Sequence, residues 1–364
     1  MNASMKQFID SRKFRTLTLR FTLIASGLLV GVFLAEGLAR LFFPQLAPRT
    51  ARITKFWKYD PDLGWSNSPR AIGDFETFGI HAFVTINSKG FRGPEIEYAR
   101  DQKRQRVMVL GDSYVWGYGV KDDEVFTELL RKTMPDVEIV NVGVSGYSTD
   151  QELLLYRNEC YRYKPDLVII VVTENDILGN LLTEQYVIYG KPAFHLKDGE
   201  LTLINQPVAK TPLWKRAFAH FAMRSFVLTA ANRYLYSRDI SGIEASAAQK
   251  KDGAAYSGAS PTASGNFPRT QGEEITARLL VELRREISAR QGDGKLLVVF
   301  TEEMTGSREF AQYLTPIDIP CLDLEDYIGA DDRSLHLPND FHWNAEGHKR
   351  VADIMAKFIA KFLK

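Results

Sequence analysis

Val107-Met108-Val109-Leu110-Gly111-Asp112-Ser113 decides the fold. Four apolar residues closing on a Gly-Asp turn read as a strand buried in a parallel sheet, and the turn delivers Ser113 to the sheet's carboxyl edge. Ligands of open α/β sheets bind at that edge. Ser113 is therefore a candidate nucleophile, provided that a base and an oxyanion site accompany it. Gly111-Asp112-Ser113 alone is too short a motif to carry that assignment, and the weight falls on three blocks further along the chain.

From Arg106 onward, strands and helices alternate. Val107–Leu110 is followed by a helix over Glu124–Met134, a strand at Val137–Val142, a helix over Ser148–Tyr163 and a continuous apolar strand at Leu167–Val172. The rhythm resumes with a helix at about Glu273–Arg290, strands at Leu296–Phe300 and near Ile317–Leu322, and a last helix over Asn344–Phe362. Such alternation predicts an α/β fold with a doubly wound parallel sheet. An insertion spans 178–272. Within it, 207–238 is helical in pattern and carries Lys210, Lys215, Arg216, Arg224, Arg233 and Arg238 with no acid. Its Trp214/Phe218/Phe221/Leu228 stripe packs on the core or forms a cap beside the Ser113 edge. Residues 242–268 are rich in Ala, Ser and Gly and read as a flexible linker.

Toward the N-terminus, 44–105 is dense in aromatics and turn signals such as Asp60-Pro61, Leu63-Gly64-Trp65 and Asn87-Ser88-Lys89-Gly90, and reads as short strands or an extended arm. Before it, Phe21–Phe43 is apolar apart from Thr22, Ser26, Glu36 and Arg40. As a helix it would be about 34 Å long, enough to cross a bilayer core. Three readings stand: a transmembrane signal anchor with an exported catalytic domain, a cleaved signal peptide with small residues at Gly37-Leu38-Ala39, or a buried core helix lacking an amphipathic pattern. The first is preferred and gives the order tail 1–20, anchor 21–43, arm 44–105 and catalytic domain 106–364, with the lipid bilayer as a partner through the anchor. Basic residues flank both ends of the span, so the positive-inside bias is weak.

The 364 residues allow one large domain or two small ones, and a formal net charge of +1 gives no field that argues for nucleic acid. Two cysteines, Cys160 and Cys321, exclude a disulfide framework.

The three further blocks fall where chemistry would need them. Asn141-Val142-Gly143-Val144-Ser145-Gly146-Tyr147-Ser148 ends the second strand, and its glycines turn the backbone sharply and present an N–H toward the serine, or simply make a strand-to-helix turn. Thr173-Glu174-Asn175-Asp176 ends the third strand; Asn175 can donate to a developing oxyanion or cap a helix. Asn339-Asp340-Phe341-His342-Trp343 precedes the last helix and offers His342 as base, with a nearby carboxylate to fix its tautomer. A metal cluster of His336, His342 and His348 matches no common ligand spacing, and His348 reads as packing or capping the last helix.

In this order the four blocks resemble the SGNH (GDSL-type) hydrolase family over roughly 106–178 and 292–364. The resemblance implies a flavodoxin-like sheet, Ser113 as nucleophile, His342 as base and an oxyanion hole made by the Ser113 N–H, the Gly146 N–H and the Asn175 side chain. Gly146 fits the family's Asn-x-x-x-Ser-Gly block better than Gly143. Asn339 stands where Asp-x-x-His members carry the acid; some exported members use Asp-x-His, which makes Asp340 the orienter. Thr173 stands where the family often has glycine. The anchor, the Asn87–Gly93 segment and the insertion look like a membrane-anchored bacterial subgroup, whose exported relatives include esterases and O-acetyltransferases of cell-surface polysaccharides. The expectation is therefore a serine esterase or O-acyltransferase, without cofactor or metal. It would act outside the cytoplasm from the inner membrane on an acyl ester or glycan, with a non-catalytic carbohydrate-binding or scaffold subunit as the rival.

Overall fold

The computed structural model describes residues 3–42, 55–77, 80–101, 103–185, 189–222, 225, 271–304, 306–329, 332–338 and 340–363. Phe43, Arg224, Leu228, Arg233, Arg238, the 242–268 stretch and Asn339, all singled out in the sequence, lie outside them. The chain divides into two compact units, Met1–Thr50 with Ala217–Ser241, and Ala51–Arg216 with Gly242–Lys364.

In the first unit, one helix runs Ala3–Phe42. Its segment Arg15–Phe42 is long and apolar enough to cross a membrane, and none of its most apolar window is buried. Its length and composition suit a membrane span or a signal sequence. Arg40 pairs with Glu36 one turn earlier at 2.8 Å, which offsets part of the cost of both charges near the end of the apolar run.

The second unit begins with two antiparallel hairpins, β1 (Trp57–Asp60) with β2 (Gly64–Asn67), and β3 (Ile72–Thr77) with β4 (Ile80–Thr85). Strands β5 (Gln105–Leu110), β6 (Val137–Asn141) and β7 (Leu167–Val172) follow. The insertion adds the hairpins β8 (Glu184–Gln185) with β9 (Tyr189–Gly190), and β10 (Ala193–Lys197) with β11 (Glu200–Ile204). The chain then returns to the sheet with β12 (Lys295–Phe300) and β13 (Cys321–Asp323). The sheet runs β13-β12-β7-β5-β6, all parallel. This is the flavodoxin-like order, and the chain reverses its direction of winding between β5 and β7, so the crevice beyond their carboxyl ends is the expected ligand site.

The reason β7 carries no polar residue is visible in its burial. Val168, Ile170 and Val172 pack on one face with Leu153, Leu154, Leu279 and Leu283 of the helices Thr149–Asn158 and Gln271–Gln291. Leu167, Ile169 and Val171 pack on the other with Phe126, Leu130, Val351 and Met355 of Phe126–Thr133 and Ala345–Phe362. Each such side chain contributes roughly 1.5–3 kcal/mol on burial, which fixes the strand at the centre.

The arm shares this core. Leu63, Trp65, Phe91 and Ile96 belong to the same apolar cluster as β7. Arg92, with its side chain almost fully buried, donates to the carbonyls of Trp116, Gly117 and Val120 at 2.6–2.9 Å and pairs with Asp122 at 2.8 Å. The Asn87–Gly93 segment is thus a brace on the loop that follows Ser113. In the insertion, Lys191 is buried against Asp150 at 2.5 Å and ties the hairpins to the sheet domain. A helix forms at Leu213–Ala222, but Trp214 at its start is 71% exposed and does not pack on the core. Lys215 pairs with Glu184.

Candidate active site

Ser113 opens a four-residue helix, Ser113–Trp116, directly beyond β5. Asp112 caps it, with Oδ1 accepting the Tyr114 N–H at 2.9 Å. Ser113 Oγ lies 2.7 Å from His342 Nε2, and His342 Nδ1 lies 2.5 Å from Asp340 Oδ1. Asp340 is buried, and the same oxygen accepts the His342 backbone N–H at 3.0 Å. A carboxylate can only accept, so Nδ1 carries a proton, and in the neutral ring Nε2 is the atom that accepts from the serine hydroxyl. The imidazole stacks on Tyr118, with ring centroids 4.4 Å apart. Ser113 and His342, 229 residues apart in the chain, are thus joined with Asp340 in one line of hydrogen bonds.

The loop after β6 turns at Gly146, whose φ of 80° is costly for any residue with a Cβ. Neither its N–H nor that of Ser113 has an acceptor among the described residues. Gly143 plays a different part. Its N–H is spent on Asn141 Oδ1 at 2.9 Å, and a Cβ there would sit 2.4 Å from the Trp116 nitrogen, so its role is close approach to the Ser113 helix. Asn175 reaches the same edge from the end of β7, where its Nδ2 donates to Asp112 Oδ2 at 3.1 Å. Thr173, in place of the family's usual glycine, has φ −120° and ψ 166°, an extended conformation that needs no glycine. Its N–H donates to Asp176 at 2.7 Å and starts the helix Glu174–Gly179.

Behind the serine, Asp112, Asp150, Glu152 and Asp176 are all buried. Burial raises the Asp112 carboxyl above its ordinary range, against the pull of the Tyr114 N–H and the His342 ring. Burial and the neighbouring carboxylates hold Glu152 and Asp176 well above theirs.

The other two histidines do not join His342. His348 lies against Phe126, its Nδ1 accepting the Phe126 N–H at 3.3 Å, and burial lowers its pKa to about 3. His336 faces Glu302 Oε1 through Nε2 at 2.8 Å and the Asp332 carbonyl through Nδ1 at 3.0 Å. Both ring nitrogens face acceptors, an arrangement that favours the protonated ring, and the His336 pKa is raised chiefly by the Glu302 bond.

Glu302, which no sequence motif marks, matters for His342. Its Oε1 also accepts the Trp343 indole N–H at 2.7 Å. His336 and Trp343 form an isolated antiparallel bridge, so one carboxylate oxygen holds both ends of the loop that carries Asp340 and His342. Within that loop the Leu337 N–H donates to the His342 carbonyl at 2.8 Å. The signal was positional: Glu302 lies just beyond the carboxyl end of β12, on the edge that already holds Ser113 and Asn175. A cavity of about 380 Å³, lined by Thr85, Arg92, Asp122 and Arg131 among others, includes none of Ser113, Asp340 and His342.

A family model described as the GDSL-like lipase/acylhydrolase family matches residues 109–301, more than half of the chain. Nothing among the curated proteins matches. Among solved structures, the chain is similar to a two-domain esterase active on acetylated mannans, at 14% identity over 71% of this chain and 50% of that one, TM-score 0.37. The chain therefore spans half the length of that neighbour. It is also similar to the psychrotrophic esterase EstA from Pseudoalteromonas sp., at 14% identity over 71% of this chain and 98% of that one, TM-score 0.40. A third is a lipolytic protein of the G-D-S-L family from Desulfitobacterium hafniense DCB-2, described as putative, at 12% identity over 70% and 99%, TM-score 0.37.

Proposed function

Because the chain belongs to the GDSL-like lipase/acylhydrolase family of ester hydrolases, we propose that Ser113 is its nucleophile, His342 its base and Asp340 the carboxylate that orients the base. The observation that carries this reading is the unbroken relay from Ser113 Oγ through the imidazole to Asp340. It also supplies what the matched span lacks, since Asp340 and His342 lie beyond residue 301.

In the first half-reaction the Ser113 hydroxyl proton passes to His342 Nε2 as Oγ attacks the ester carbonyl. The oxyanion that forms is held by the N–H groups of Ser113 and Gly146 and by the Asn175 amide. Asp340 stabilises the imidazolium without taking its proton. His342 then protonates the leaving alcohol, and the acyl group stays on Oγ. In the second half-reaction water, or a sugar hydroxyl, gives its proton to His342 as its oxygen attacks the acyl carbonyl. The acyl–Oγ bond then breaks as His342 returns that proton to Ser113 Oγ, which releases the acid or the new ester and frees Ser113. Hydrolase and transferase differ only in that second acceptor. We assign an O-acetyl ester of an extracytoplasmic glycan as substrate. Support comes from the resemblance to exported polysaccharide esterases and from an apolar N-terminal helix suited to an anchor or signal. The non-catalytic alternative finds no favouring observation among the described residues.

A fluorophosphonate probe should label the wild-type chain at Ser113, mapped by mass spectrometry, and Ser113→Ala should abolish both the label and turnover of an aryl acetate. A label elsewhere, or full turnover by the alanine variant, overturns the assignment. A C-terminal alkaline phosphatase fusion should be active if the catalytic unit lies outside the cytoplasm.

A further inference from the structure

Ser145 and Gly146 share one peptide plane. In a trans peptide the carbonyl and the N–H point in opposite directions, so whatever fixes the Ser145 oxygen also aims the Gly146 N–H. That oxygen accepts the indole N–H of Trp65 at 3.0 Å. Trp65 belongs to β2 of the arm, well before the catalytic sheet begins, and is 3% exposed.

Trp65 is itself held in place. The Tyr147 hydroxyl donates to the Trp65 carbonyl at 2.5 Å, and the two rings pack edge to face with centroids 5.6 Å apart. The neighbouring Asn67 donates to the Gly143 carbonyl at 3.1 Å, and the Val144 N–H donates to the Gly111 carbonyl at 3.0 Å. The arm therefore grips the loop on the carbonyl side at two peptides, while the Gly146 N–H keeps no protein acceptor among the described residues. Gly146 has φ 80°, where glycine tolerates large rotation and does not fix the plane by sterics alone.

We infer that Trp65 is a positioning residue for the oxyanion hole: its indole N–H pins the Ser145 carbonyl and so turns the Gly146 N–H toward the oxygen of the acyl group bound at Ser113. Donation to the carbonyl also draws electron density from the peptide nitrogen and makes the Gly146 N–H a stronger donor. The arm is thereby part of the catalytic apparatus. The inference rests on the roles proposed for Ser113 and Gly146.

An oxyanion donor acts mainly in the transition state, so its misalignment should lower kcat and leave KM nearly unchanged. Removing one such donor outright costs about 10²–10³ in kcat, and loosening it by Trp65→Phe should cost about tenfold. A boronate that forms a tetrahedral adduct on Ser113 should bind more weakly by the same factor. Benzothienylalanine at position 65 keeps the ring shape and removes the N–H. It separates the hydrogen bond from packing, and it should reproduce the loss with a melting temperature close to that of wild type. Unchanged kcat and boronate affinity in the benzothienylalanine protein, with Ser113 still labelled by fluorophosphonate in the wild-type chain, overturns this inference alone. A fall in kcat with unchanged boronate affinity overturns it too, since the loss then lies elsewhere. Absence of label at Ser113 in wild type removes the site reading and this inference with it.

Discussion

The two halves of the Ser113–His342–Asp340 hydrogen-bonded line are held in place by different physics. On the serine side, the position comes from backbone topology: β5 is paired to β6 and β7, its apolar residues are fully buried, and Ser113 stands just past its end, beyond Gly111 and Asp112. On the histidine side, no strand ends at His342. Its loop is closed by a single bridge and by side chains, with His336 and Trp343 converging on one oxygen of Glu302. The proposed nucleophile, fixed by a sheet, tolerates change in its surroundings. The proposed base, fixed by a few buried polar contacts, is exposed to the loss of any one of them, because an orphaned buried charge costs several kcal/mol.

The largest effect tests the serine side. Ser113→Ala should reduce turnover to the residue left by binding and the oxyanion hole, a loss of up to about 10⁶ if this relay behaves like other serine triads. Its thermal melt should stay near that of wild type, since Ser113 lies past a strand whose packing it does not supply. Next comes the orienter: Asp340→Asn should cost up to about 10⁴ in kcat by unsettling the tautomer of His342. Asn339→Ala should cost far less. A reversed ranking would mean that Asp340 does not hold the base in solution.

The third test addresses the contrast itself. Glu302→Gln removes the charge that pairs with His336 while keeping an acceptor for Trp343. If the histidine loop depends on that charge, kcat should fall roughly ten- to a hundredfold, as for other removed supporting contacts, with KM changed less. The pH dependence has a definite sign. The His336 pKa is raised in the folded protein, so its contribution to stability is present below the unfolded value of 6.5 and is lost as pH rises through the folded value. Wild type should therefore lose loop order on the alkaline side, and the Gln variant should lack that limb. Equal alkaline profiles would reduce Glu302 to a packing role.

The same contrast governs what is legible in the sequence. Leu167–Val172 is legible in full, because a strand buried on both faces has an unbroken apolar code. The last strand is expected near Ile317–Leu322 but spans Cys321–Asp323. Pro316 lies within a 3₁₀ turn at Thr315–Ile317, and Asp318 follows at φ 57°. The hairpin β10–β11 is absent from the expected elements although Asp198-Gly199, with φ of 51° and 82°, is a strong two-residue turn signal between alternating strands. At the site, Ser113, Asn175 and the Gly146 turn announce themselves at strand ends. The contacts of Glu302 and Trp65 converge only in three dimensions; strand position marks Glu302, and no spacing in the chain marks Trp65. Thr173 shows the reverse case: a departure from the usual glycine that the extended backbone at that position accommodates.

The smallest expected effect concerns His348, which bridges the two halves. It sits at the start of the last helix, just beyond the His342 loop, and accepts the first N–H of Phe126–Thr133, a helix on the serine side. Its pKa is lowered from 6.5 to about 3 because the charged form cannot be solvated against Phe126 and Trp343. A depressed pKa means that the unfolded chain binds a proton which the folded one refuses. The stabilisation is therefore complete above about pH 6.5 and drains away as pH falls toward 3. His348→Gln retains an acceptor for the Phe126 N–H and cannot titrate. Its kcat at pH 7 should stay within about twofold of wild type, since it touches no reacting atom. Its melting temperature should fall less steeply between pH 7 and pH 4. An equally steep fall would place the acid sensitivity elsewhere, with the Asp112, Asp176 and Glu152 carboxyls excluded on sign: their raised pKa values make folding bind protons and so resist acid.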